Sequence, residues 1–520
     1  GWQIQGGETT QGSTATWSFH QRRRCRPRPS QPKVPIPDRL LGLSHTLARH
    51  PVALIMPAMT ADLTRRTLLR LGGATALALL GLDSRYAAEA PGAGRVPAGF
   101  GPLVRDPAGI LDLPAGFRYV VVSRSGETMA DGLLVPGAPD GMACFASDAG
   151  TLRLVRNHEL RSDQATGAFG RDGARFANVD RSRVYDSGDG KLPALGGTTT
   201  LVIDAATGAC RRQWLSLAGT RNNCAGGPTP WGSWISCEED TQRMGVTDQG
   251  VVIARDHGYA FEVPAAADSL VVPTPLPAMG RFRREAVAVD PASGAIYQTE
   301  DTKDGVFYRF LPAQPGRLSA GGRLQALRIR DYAKPDTRNW YGNDIAVGHE
   351  REVDWVDVAD PSDRTADQAA GLGAQRFTRG EGCWYGHGAV WFASTDGGRT
   401  RKGQIWRYQP SPVEGTPAER ERPGRLTLFV QPDDGGQLEN VDNVTVAPWG
   451  DVLGAEDNSS PACSDENRLI GITPGGAIYP LASTMLSEIA GPCFSPDGRW
   501  LFLNIQAGIT CAVTGPWPNA

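Results

Sequence analysis

The sequence predicts an all-β chain folded as a six-bladed β-propeller over about residues 100–520. Three observations carry that expectation: a hairpin motif that recurs along the chain, turn signals at the centre of each copy, and a composition suited to many short strands. Gly 64 and Pro 39 among 520 residues, spread between short apolar runs, describe strands and turns rather than long helices. A formal net charge of -3 argues against a nucleic-acid binder held by a basic face.

The repeat is an apolar strand, a turn, a second apolar strand, then polar residues. It is read at "EAVAVDPASGAIYQTED" from Glu285, "DNVTVAPWGDVLGAED" from Asp442 and "GPCFSPDGRWLFLNIQ" from Gly491. "CAGGPTPWGSWISCEED" from Cys224 and "EGCWYGHGAVWFASTDGG" from Glu381 fit the same frame, and "DGMACFASDAGTLRLVRNHE" from Asp140 is a looser copy. A lone hairpin cannot bury both faces. Intervals of roughly 50 to 95 residues leave room for two more strands per copy, and four-stranded units repeated radially make a propeller. A β-sandwich with chance similarities is the competing architecture.

The first residues stand apart. Residues 1–58 begin with Gly, carry Arg22, Arg23 and Arg24 and lack an apolar period, so they read as a disordered leader or an over-extended start. From Met59, residues 59–90 resemble a twin-arginine signal peptide. Thr64-Arg65-Arg66-Thr67-Leu68-Leu69-Arg70 precedes a short apolar run and an Ala88-Glu89-Ala90 cleavage-like site. That run is too short for a stable membrane anchor. The reading implies folded export by the twin-arginine machinery and a periplasmic or secreted protein, which suits a metal-loaded passenger. Of nine cysteines, Cys463 with Cys493 or Cys511 is a candidate late disulfide.

Aligning the copies on their turn glycines (Gly150, Gly232, Gly294, Gly388, Gly450 and Gly498) brings Arg156, Glu238, Glu300, Ser394, Glu456 and Asn504 into register six positions later. Roughly seven to ten positions before those glycines stand Asp140, Cys224, Glu285, Glu381, Asp442 with Asn443, and Gly491. The start of a hairpin's first strand and the end of its second lie at the same end, so both sets are expected at one mouth of the central channel. So many carboxylates would raise one another's pKa values unless multivalent cations joined them.

A metal cluster is therefore expected at that mouth. Oxygens from Glu159, Glu238, Glu239, Glu285, Glu300, Glu381, Asp442, Asn443 and Glu456 suit calcium (Ca2+). The thiolate of Cys224, with no His-rich set beside it, suits a transition metal, iron (Fe3+) before zinc. Arg379 precedes Glu381 by two residues, and its planar fork matches phosphate oxygens, so it is the expected catalytic and substrate-binding residue. Asn223 and His158 are the other substrate-binding candidates.

At these residues the sequence resembles the PhoX-type alkaline phosphatases. The motifs are "RNHE", "GGTTT", "NNCAGGPTPWGSWISCEED", "RREAVAVDP", "RGEGCWYG", "DNVTVAPWGDVLGAED" and "SPDGRWLFLNIQ", in order from roughly residue 100 to the end. The resemblance implies a six-bladed propeller with a mixed iron and calcium cluster that hydrolyses phosphate monoesters and some diesters. It implies that Cys224, Glu285, Glu381 and Asp442 bind metal and that Arg379 contacts phosphate. Gly380 stands where many members have proline, which bears on loop geometry and substrate range.

The expected function is a monomeric, metal-dependent phosphatase acting on small phosphate esters, in which an oxygen held by the metals attacks phosphorus. The rivals are a calcium-dependent lactonase or esterase on a propeller, and a non-enzymatic calcium-stabilised binding propeller.

Overall fold

The computed structural model describes residues 98–518, apart from 149, 162–166, 191, 248–249, 433–436 and 459–465. The leader, the twin-arginine segment, Cys25 and Cys463 lie outside the described residues. Cys493 and Cys511 are free thiols.

The described chain is all-β and propeller-like, with a single α-helix, Thr365–Gly371, among the described residues. Its strands pair antiparallel into three four-stranded sheets, one three-stranded sheet and one nine-stranded sheet, besides two short ribbons. The nine-stranded sheet holds two of the expected hairpins, joined edge to edge where Glu350–Asp357 pairs with Arg425–Val430. The last four-stranded sheet is completed by the early strand Arg118–Arg124, which pairs with Ile509–Thr514.

The first strand of each repeated hairpin is innermost. Pro139–Ala146, Asn223–Pro228, Arg284–Val289, Gly380–Gly386, Val441–Val446 and Ile489–Phe494 pack each on the next, and the last returns to the first. These strands are buried on both faces, which is why they read as apolar runs instead of alternating. They approach one another so closely that side chains vanish at the contacts. A Cβ on Gly141 would lie 2.5 Å from Ala225 Cα, and one on Gly382 would lie 2.5 Å from Val444 N.

All six turn glycines adopt positive φ, from 69° (Gly498) to 101° (Gly450), as the turn signals required. Around the ring the sheets pack through large side chains: Phe307 stacks on Phe392 with centroids 4.1 Å apart, and Trp406 and Tyr408 are fully buried beside them. No helix among the described residues is long and apolar enough to cross a membrane.

Candidate metal centre

The inner strands share a defect that the sequence does not announce. Each pairs with its hairpin partner through a register shift at the same place, enclosing Asp140, Cys224, Glu285, Glu381, Asp442 and Gly491 respectively. A β-bulge inserts a residue and re-aims its side chain. Five of the six bulges therefore carry a thiol or carboxylate. Two residues ahead of four of these side chains, the backbone is left-handed at a non-glycine: Ala138 (φ 42°), Asn222 (49°), Arg379 (42°) and Asn440 (48°). Such conformations are uncommon outside glycine and persist where surrounding structure over-determines them.

The re-aimed side chains meet at one mouth. Ligand atoms of Cys224, Glu239 and Glu285 lie within 4.8 Å of one another, as do those of Glu285, Glu381 and Asp442. Glu285 is common to both groups, so the two triads form one centre. Neutral amides brace its edge: Asn222 Nδ2 donates to Glu159 Oε1 (3.0 Å) and Glu239 Oε2 (2.8 Å), and Gln506 Nε2 donates to Glu159 Oε2 (2.7 Å) and Asp140 Oδ2 (3.0 Å).

Two arginines face the acids from the rim. Arg379 Nε donates to Asp301 Oδ1 at 2.9 Å, and its Nη2 lies 2.7 Å from Glu381 Oε1, in ion-pair contact but outside hydrogen-bond geometry. Arg283 pairs with Glu239 and, at 3.6 Å, with Asp301. Burial would lower the Arg379 pKa, but Glu381 and Asp301 outweigh it and hold the guanidinium charged.

The acids outnumber these cations, and their protonation shows it. Burial, then the charge of Asp442, pushes Glu159 up to about 7. Burial, then Asp301, pushes Glu239 up to about 8. Glu285, Glu381 and Asp140 are raised well above the carboxylate range by burial and by one another's neighbours, and Cys224 is raised by burial and Glu285. Asp301, held by Arg379, stays below its ordinary value despite burial.

The donor set fits multivalent cations. Glu285 Oε1, Asp442 Oδ1 and Glu488 Oε1 are buried and accept no hydrogen bond, which is costly for oxygens taken out of water. Hard oxygens around one thiol match a site with calcium-type positions and one softer position. Glu488 is a member the sequence reading missed. Its blade offers Gly491 at the bulge, and the carboxylate instead comes from just before the strand Ile489–Phe494, close enough to share a proton with Asp442.

Other expected residues are placed differently. Glu238 accepts from His257 Nδ1 (2.6 Å) and from the backbone N–H of Arg221, Gly258 and Tyr259. Glu300 accepts from the Tyr308 hydroxyl (2.8 Å), and Glu456 accepts twice from Arg468 (2.7 Å each). None of these three joins the close-packed triads. Their place at the end of the second strand is as expected, but their lone pairs are occupied within their own sheets.

The two small-molecule candidates are enclosed as well. His158 is fully buried with Nδ1 on Gly137 O and Nε2 on the Thr199 hydroxyl, both 2.9 Å. Asn223 is also fully buried, bonded to Thr220 and Ser236. Its neighbour Asn222 faces the acids instead, turned there by its left-handed backbone. Asn443 accepts from Gly491 N at 2.7 Å, tying adjacent inner strands, while its Nδ2 is buried without a partner.

With this geometry in view, comparison with known proteins is decisive at the family level. The sequence matches the family "Alkaline phosphatase PhoX" over residues 98–508. The chain belongs to the PhoX family. Among solved structures, PhoX of Pseudomonas fluorescens in complex with vanadate, a transition state analogue, has a similar fold: TM-score 0.60, 16% identity, 78% of this chain and 96% of that one. Weaker likenesses include virginiamycin B lyase of Staphylococcus aureus (TM-score 0.32, 13% identity, 76% and 99% covered). A gluconolactonase of Xanthomonas campestris is similarly distant (TM-score 0.33, 12% identity, 80% and 98% covered). No curated protein matches the sequence.

Proposed function

We propose that this PhoX-family chain is a metal-dependent phosphatase, periplasmic or secreted after twin-arginine export, that hydrolyses phosphate monoesters and some diesters at the mouth of a six-bladed propeller. The observation that carries the reading is the convergence of buried, unpartnered carboxylate oxygens with Arg379 poised over them. In the six-bladed description, the nine-stranded sheet counts as two blades fused at an edge, and the cyclic packing of the six inner strands supports it.

Cys224, Glu239 and Glu285 would hold iron, and Glu285, Glu381 and Asp442, with Asp140, Glu159 and Glu488 around them, would hold calcium. Bound there, such cations supply Lewis-acid polarisation of phosphate oxygens and lower the pKa of water, the two needs of ester hydrolysis near neutral pH. The chain's own contribution is placement. Asp301 and Glu381 fix the Arg379 guanidinium, which remains 39% exposed and can reach phosphate oxygens with its fork. Charge that develops on those oxygens in the transition state meets a cation that need not reorganise. Asn222 and Gln506 orient the outer acids, and the bulges fix the inner ones.

The test pairs elemental analysis of the purified protein with p-nitrophenyl phosphate hydrolysis before and after chelation. Iron plus calcium with turnover lost on chelation and restored on reconstitution is the expected result. Full turnover by a Cys224→Ser variant, or none by the reconstituted protein, would overturn the assignment and leave the lactonase or binding-propeller readings.

A further inference from the structure

Beside the acid cluster the same mouth carries fixed charges of opposite sign. The strand Gly322–Ile329 ends there, and the chain runs through residues 330–349 before Glu350–Asp357 begins. Two sets of contacts tie this loop to the rim. Arg338 Nη1 donates to Lys303 O (3.0 Å) and Asp304 Oδ1 (2.9 Å), just beyond Asp301. Trp340 Nε1 donates to Asp396 O at 2.8 Å, and Asp396 accepts from the hydroxyl of Thr378, the residue before Arg379. Thr395 N donates to Arg379 O at 3.0 Å, so the loop and Arg379 share one framework.

Trp340 immobilises two guanidinium groups, with Arg338 Cζ 4.0 Å and Arg401 Cζ 3.6 Å from its ring centroid. Cation–π contact takes away rotamer freedom that a long side chain otherwise keeps. The backbone fixes Arg401 further: its φ is 57°, its N–H donates to Gly398 O at 3.1 Å, and its carbonyl accepts from Asn440 Nδ2 at 3.3 Å. Even so its side chain is 42% exposed, and the carboxylate it approaches, Asp396, is 4.0 Å away. Arg376 is 40% exposed, and its ion pair to Asp304 is long at 3.8 Å. Lys303 and Arg399 are exposed, and among the described residues neither forms an ion pair.

Arg338 is neutralised by Asp336, which it grips with two nitrogens, and by Asp304, so the positive charge less completely paired beyond Arg379 is that of Arg376, Arg401 and Arg399. A phosphate ester held by Arg379 would have its ester group on the solvent side, because the acids behind it are buried, and Arg401 is linked to Arg379 on that side through Thr395 and Asp396. We infer that Arg401 and Arg399 form a subsite for the leaving group, selecting phosphate esters whose leaving group carries a second anion, a phosphate or a carboxylate, over esters of uncharged alcohols. Guanidinium binds either anion through paired hydrogen bonds. The inference rests on the phosphatase reading above and narrows its substrate class.

The test uses the metal-loaded protein and a matched series: phenyl phosphate, 4-carboxyphenyl phosphate and 1,4-phenylene bisphosphate. The expected result is a higher kcat/KM for the two charged leaving groups, expressed in KM and shrinking as ionic strength rises. In Arg401→Gln the ratio of charged to uncharged kcat/KM falls by about threefold to fivefold, the scale of an exposed ion pair. Arg399→Gln, at an exposed side chain that forms no ion pair among the described residues, gives a fall in the same direction should Arg401→Gln disturb Trp340. The carboxylate and bisphosphate arms identify which second anion is preferred.

Binding of phenylphosphonate and 4-phosphonobenzoate, measured by calorimetry, separates the two hypotheses. Selective weakening of 4-phosphonobenzoate in the variants supports the subsite even where no ester is turned over, an outcome that would sink only the phosphatase reading. Equal ratios in wild type and both variants, with turnover intact, overturn the subsite and leave the phosphatase standing.

Discussion

Acids reach this mouth from two positions of the repeated hairpin, the inner-strand bulge and the end of the second strand, and the two positions behave oppositely. Those on the inner-strand bulge, Glu285, Glu381 and Asp442, point at one another with buried oxygens that lack hydrogen bonds or, for Glu381, meet only Arg379. Those ending the second strand, Glu238, Glu300 and Glu456, are as deeply buried yet bonded to a histidine and backbone amides, a tyrosine and an arginine. Burial alone therefore does not mark a ligand. At this mouth the inner-strand carboxylates that converge are the ones with an oxygen that accepts no hydrogen bond.

The largest effect should come from the inner set. Glu381→Gln removes a charge that Arg379 and the cation site both use, and activity should fall by about 10^3-fold, the scale of losing one preorganised transition-state contact. The metal-free variant should meanwhile melt higher than metal-free wild type, because a neutral amide replaces a carboxyl that burial, Asp301 and Asp442 make costly to ionise. A kinetic assay and a melting curve on the same preparation check both halves, and a lowered apo melting temperature would count against the repulsion argument.

Glu238→Ala should do the reverse, costing about 3–5 kcal/mol of stability by leaving buried partners unsatisfied, with the metal complement kept. Denaturant unfolding and metal analysis test it, and loss of metal without loss of stability would move Glu238 into the inner set.

Proton linkage distinguishes the sets next. Glu159 and Glu239 have folded pKa values raised to about 7 and about 8, by burial first and then by Asp442 and Asp301. Groups raised on folding stabilise below their unfolded pKa and lose that contribution as pH climbs through the folded value. The metal-free protein should weaken between about pH 4.5 and pH 8, and calcium should restore most where the loss is greatest. His257 is opposed by burial yet raised to about 9 by Glu238 and Asp186. Its contribution is full below about pH 6.5 and disappears as pH passes 9, so His257→Gln should flatten only the alkaline limb of the stability profile.

The smallest effect concerns backbone. Ala138→Gly relaxes a left-handed residue two positions before Asp140 and should stabilise by about 0.5–1 kcal/mol, net of the glycine entropy cost. An unchanged or lowered melting temperature would mean that the lost methyl matters more than the strain.

Much of this architecture was legible. The turn glycines, the inner strands and the mouth at which acids gather all follow from periodicity, because a strand pair fixes which ends coincide. The bulge was not legible as such. Every copy gains the same one residue there, so the spacing between bulge and turn glycine, ten residues for Asp140 but seven for Glu381, reports strand and turn length and leaves the bulge unmarked. For the same reason Asn223 was chosen where Asn222 faces the acids: a left-handed residue breaks the two-residue alternation on which facing is read. Glu488 was invisible because its copy has glycine at the ligand position. Nothing local to His158 reveals that Gly137 and Thr199 occupy both of its ring nitrogens.

The strand Arg118–Arg124 completes the sheet built from residues 489–514, and the cluster draws on side chains from Asp140 to Glu488. The order of synthesis then matters. While the ribosome is still making the last hairpin, Asp442 has no Glu488 beside it and the ring of inner strands stands open. A stable metal complement can be acquired only once nearly the whole chain exists, so metal content per chain reports on completed molecules, and truncated ones should carry none.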